Sequence, residues 1–246
     1  MTHRRTLLAV LALALAAAPS AFALASGTPV VASGKVASES RPAPAFTGIA
    51  LSLPAKVEVT QGSPASVTVE ADDNLLPEIE TVVEGDKLQI RFHRNLNVVG
   101  RSTLRVRVTA PRIESLAVAG SGDISAGKLS GPALSISVGG SGDVTVADVQ
   151  VEALRVAIAG SGDVKAAGRA AELAAKIAGS GDLGAGRLDA KRATVSIAGS
   201  GDATLWARES LEVSIAGSGD VRYHGDPVVK RSVAGSGAVK RLGPAP

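Results

Sequence analysis

From residue 120 onward the tetrapeptide Gly-Ser-Gly-Asp recurs, with its first glycine at 120, 140, 160, 179, 199 and 217, and it closes as Gly-Ser-Gly-Ala at 235. The intervals are 20, 20, 19, 20, 18 and 18 residues. Periods this short belong to solenoids, because a propeller blade needs about 40 to 50 residues. Apolar residues alternate before each motif, as in Leu134, Ile136 and Val138, or Leu211, Val213 and Ile215. A period of two means a strand with one buried face. The alternation resumes after each motif, as in Val144 and Val146 or Ala203 and Leu205, so each repeat holds two or three short strands.

A hairpin meander is the rival, since Gly-Ser-Gly also makes a tight turn between antiparallel strands. A meander does not require successive turns to be chemically identical. Stacked coils do, because they place each residue about 4.8 Å above its equivalent in the preceding repeat. The repeat therefore predicts an all-β parallel β-helix over residues 119–240. Its interior is Ala, Val, Ile and Leu, and aromatic residues make up only 2% of the chain, as a narrow coil demands.

A coil end exposes unpaired backbone and needs covering. Residues 46–118 lack the motif but read as strands, with Ile49, Leu51 and Leu53, then Val57 and Val59, Val67 and Val69, Leu88 and Ile90, and Leu104, Val106 and Val108. Turn signals at Gly62-Ser63-Pro64, Glu84-Gly85-Asp86 and Pro111-Arg112 separate them. This part is expected to be an irregular β cap. At the other end Trp206, Tyr223 and Gly225-Asp226-Pro227 bring the late bulk, and Ala238, Lys240 and Arg241 suit an edge-blunting last coil before a 241–246 tail.

The chain opens with Arg4 and Arg5, an apolar run from Leu7 to Ala18 and small residues at Ala21, Ala23 and Ala25. That pattern is a secretory signal peptide over 1–25. The run is too short to span a bilayer, which takes roughly 20 residues, and no later stretch is long and apolar enough. The mature chain is thus expected to be exported, whether periplasmic, outer-surface associated or secreted. Residues 26–45, rich in Ser, Gly and Pro, read as a flexible linker. With no cysteine, neither disulfides nor a lipid-modified Cys can tie the fold down. Without Arg4 and Arg5 the 26 Lys and Arg nearly match the 23 Asp and Glu, which argues against a nucleic-acid partner.

The opening Phe46-Thr47-Gly48-Ile49, the run from Val57-Glu58-Val59 through Val67–Asp72 to Asn74-Leu75-Leu76, and the repeated Gly-Ser-Gly-Asp together resemble the GIN-domain family, known as auto-transporter adhesin head domains. The resemblance covers about residues 46–240. It implies a right-handed β-helix, an envelope or secreted location and an adhesin-like role. No barrel-length strands follow the repeats, so self-translocation is not expected.

The stacked column Asp123, Asp143, Asp163, Asp182, Asp202 and Asp220 is the conspicuous constellation. Its oxygens suit a hard cation such as Ca²⁺. Alternatively each Asp accepts N–H bonds within its own turn. Two carboxylates about 4.8 Å apart in water repel by only about 0.9 kcal/mol, so no counter-ion is required. The nine-residue calcium-roll signature does not match either. The turn reading is favoured, with no metal and no cofactor. For catalysis the mature chain offers only His93 and His224, no Cys, and serines confined to turns. The expectation is therefore a non-catalytic envelope protein that presents a repetitive surface to a protein, a glycan or its own copies. A polysaccharide-binding or polysaccharide-cleaving β-helix and a structural scaffold remain the alternatives.

Overall fold

The computed structural model describes residues 27–245; the expected signal peptide lies outside them. The chain begins with β1 (Thr28–Val31) and β2 (Val36–Arg41), where a linker is expected. This corrects the reading of 26–45. β2 is mostly exposed and carries no apolar period, because it is held by an antiparallel ladder to β5 (Ser66–Asp72) rather than by burial. The buried Asp72 fastens the same segment. Its Oδ1 accepts the Gly34 N–H at 2.7 Å, and Ser33 Oγ donates to Asp73 Oδ1 at 2.6 Å.

β3 (Gly48–Leu51) and β4 (Lys56–Gln61) precede β5, and β6 (Ile79–Glu84), β7 (Lys87–Phe92), β8 (Leu96–Val99) and β9 (Arg105–Ala110) follow it. β7 and β9 form a rung beneath β3 and β4, with parallel pairing on both faces. β6 then covers β7, and β5 covers β9, both antiparallel. Reversing strand direction at this end stops the parallel stack, as an N-terminal cap must.

β10 (Ser115–Gly120) lies on β3, and β11 (Asp123–Gly140) lies on both β10 and β4. The rungs continue through β12 (Val144–Gly160), β13 (Val164–Gly179), β14 (Leu183–Gly199) and β15 (Ala203–Gly217). β16 (Val221–His224), β17 (Val228–Gly235) and β18 (Val239–Gly243) make the last coil and reach past the expected boundary at 240. All these pairings are parallel. The fold is an all-β parallel β-helix with an irregular N-terminal cap.

One inward column shows why the stack holds. Ile90, Leu51, Val118, Val138, Ile158, Ile177, Ile197, Ile215 and Val233 sit one above another, buried until Val233, which is 40% exposed at the open end. Each fully buried aliphatic side chain contributes about 1.5–3 kcal/mol. Two other inward columns of that end finish in charge, with Arg231 above Val213 and Arg241 above Tyr223, and two finish in valine, with Val229 above Leu211 and Val239 above Val221.

Candidate functional site

The turn motif is locked by its neighbours in the stack. The first glycine of each motif has a positive φ, from 129° at Gly120 to 148° at Gly140. A Cβ on Gly160 would meet the Gly140 carbonyl oxygen at 2.3 Å. That same oxygen accepts the Ser161 and Gly162 N–H groups at 2.8 and 3.0 Å. Glycine is thus required twice over, by backbone conformation and by close approach.

The aspartates stack as expected, but their bonding differs from the turn reading. Asp143 Oδ1 accepts the Asp163 N–H at 2.9 Å, Asp163 Oδ1 that of Asp182 at 3.0 Å, and Asp202 Oδ1 that of Asp220 at 2.8 Å. Asp123 and Asp182 bond upward in the same way. The donor belongs to the next rung, because the N–H groups of the motif's own Ser and Gly are taken by the carbonyl below. The column ends where Asp220 Oδ1 accepts from Ala238 at 2.9 Å; Ala238 has no carboxylate to pass on. Arg222 bridges Asp202 and Asp220, 3.0 Å from an oxygen of each. The hydrogen bond to Asp202 raises its pKa above the usual arginine value. Among the described residues no three His, Cys, Asp or Glu side chains are arranged to hold a metal ion.

His93 and His224 are far apart in the fold. His93 lies beside Glu80 on the cap, 4.0 Å away, and His224 Nδ1 sits 2.9 Å from the Pro244 carbonyl in the last coil. Among the described residues no helix is long and apolar enough to cross a membrane.

Two regions of the surface contrast. The sheet running from β10 through β17 before each motif keeps perfect register. Two of its outer columns are exposed and small but for Lys176, with Ser137, Ala157, Lys176, Ser196, Ser214 and Ser232 beside Ala119, Gly139, Ala159, Ala178, Ala198, Ala216 and Ala234, and a third is more polar, running from Ser135 through Arg155, Ala174, Thr194 and Glu212 to Lys230. On the other side, register shifts fall between Val146 and Val149, Lys165 and Ala167, Ala185 and Asp189, and Tyr223 and His224, all at one corner. One more follows Ala190. The uneven intervals between motifs are the sequence signal of that irregular corner, which residue-by-residue reading for a site passed over.

These features fit the comparisons. The family described as "Putative auto-transporter adhesin, head GIN domain" matches residues 45–227. This chain belongs to the GIN-domain family. A solved structure described as a "putative adhesin", from Bacteroides fragilis, superposes with a TM-score of 0.81 at 25% identity, covering 87% of this chain and 100% of its own. A "Putative lipid binding protein" from Parabacteroides distasonis gives 0.73 at 23%, over 87% and 100%. A "putative adhesin" from Parabacteroides merdae gives 0.66 at 19%, over 88% and 100%. The last two show the GIN-domain fold alone. No curated protein matches the chain.

Proposed function

We propose that this GIN-domain chain is a non-catalytic, exported envelope protein that works as an adhesin-like display rod. The observation that supports it is the unshifted face from β10 to β17, where two columns of mostly small outward residues and a third, charged and polar one repeat at the rung spacing. A flat, rigid lattice of this kind meets a partner over many weak, equivalent contacts, and adds affinity by multivalency rather than by one deep pocket. The family's adhesin description agrees with it.

Fractionation of cells producing the full chain tests the reading. Envelope or medium recovery, with Lys176 on the regular face labelled by a membrane-impermeant amine reagent in intact cells, is expected for outward display. Recovery in the cytosol, or turnover of a glycan by the purified chain, would overturn it.

A further inference from the structure

At the irregular corner the rungs leave a groove of about 620 Å³, lined by Thr145, Lys165, Gly184, Gly186, Arg187 and Thr204. Gly184 stands between Lys165 and Thr204 in an outward column, and Gly186 sits at the register shift that follows. Unlike the turn glycines, neither has a positive φ. A Cβ on Gly184 would make ordinary contact with Lys165 Cγ at 3.4 Å, and one on Gly186 would lie 3.3 Å from Thr204 Cγ2. Backbone conformation therefore does not demand glycine at either position. What the two glycines do is keep the floor open.

The chemistry around that floor is mixed. Lys165 and Arg187 are exposed and have no hydrogen-bond or ion-pair partner among the described residues. Thr145 and Thr204 add hydroxyls. A smaller cavity of about 220 Å³ continues from Lys165, Gly184 and Thr204 to Asp163, Asp182 and Arg222. Asp163 and Asp182 spend Oδ1 on the ladder and keep Oδ2 without a hydrogen bond among the described residues. Crossing the groove, a ligand meets the Asp163 and Asp182 carboxylates, then the column in which Lys165 stands between Thr145 and Thr204, then Arg187. A sugar hydroxyl both donates and accepts, and a sugar carboxylate pairs with Lys and Arg by charge-assisted hydrogen bonds. Bulges concentrated beside one cleft are where strands re-aim side chains towards ligands.

The geometry points to this corner as a binding groove for a carboxylate-bearing oligosaccharide, whose acid group sits between Lys165 and Arg187 and whose hydroxyls reach Thr204 and the free oxygens of Asp163 and Asp182. This goes beyond the display reading by assigning a ligand to the irregular side of the rod, apart from the unshifted face.

Calorimetric titration of the chain with hexagalacturonate tests it, beside maltohexaose and phosphatidylglycerol vesicles. Binding of the uronate alone is expected, weakening by about tenfold or more in Lys165→Ala/Arg187→Ala and unchanged in Lys87→Ala on the cap strand β7. Amide shifts on titration should gather at Thr145, Gly184, Gly186 and Thr204, and thermal melts establish that each variant is folded. No uronate binding, equal binding by the double variant, or binding of vesicles in its place overturns the assignment. A groove that fails while the chain still fractionates to the cell surface removes this ligand and leaves display intact.

Discussion

At the scale of single residues the motif divides its labour unevenly. Gly160 is squeezed against the Gly140 carbonyl, whereas Ser161 is exposed. Gly160→Ala forces a left-handed φ of 141° on a residue with a Cβ and drives that Cβ into backbone. Urea melts should show a loss of roughly 2 kcal/mol or more, with Ser161→Ala within about 0.5 kcal/mol of the parent. Equal effects would contradict the close-stacking geometry. The repetition of glycine and aspartate was legible in the sequence, and so was their vertical alignment. The destination of each carboxylate was not, since only three dimensions show that the nearest free N–H lies one rung up. Asp72 was also missed as an anchor, because a lone buried carboxylate carries no pattern.

Among the elements, reading worked where burial wrote a period and failed where backbone alone holds a strand. β11 to β15 announce themselves through alternation. β1 and β2 do not, and they order by pairing with β8 and β5. The spatial order β7, β3, β10 is likewise invisible in a chain that visits them as β3, β7, β10, because nothing local tells one unrepeated rung from another. The open C-terminal rung shows how the stack is ended. Arg231 and Arg241 replace apolar residues in inward columns, and Arg241 is tied to the Gly225 carbonyl at 2.7 Å. Inward charge at an edge opposes further pairing. Arg231→Val/Arg241→Leu should therefore raise the molar mass in concentration-dependent light scattering, while the parent keeps the lower mass. Unchanged behaviour would remove the blunting role.

For the whole molecule, the repeat leads to two unlike sides of one rod. The unshifted side gives display a lattice, and the side that absorbs every change of repeat length but one carries the groove. Both depend on residues of successive rungs standing directly over one another. The cysteine-free chain lets this be measured by pulsed electron spin resonance on spin labels at Ser137→Cys and Ser232→Cys, which are joined through Ala157, Lys176, Ser196 and Ser214. Five rung steps predict backbone positions about 24 Å apart. A meander, with two strands per repeat, would place them about 48 Å apart, and that result would contradict the stacked rod.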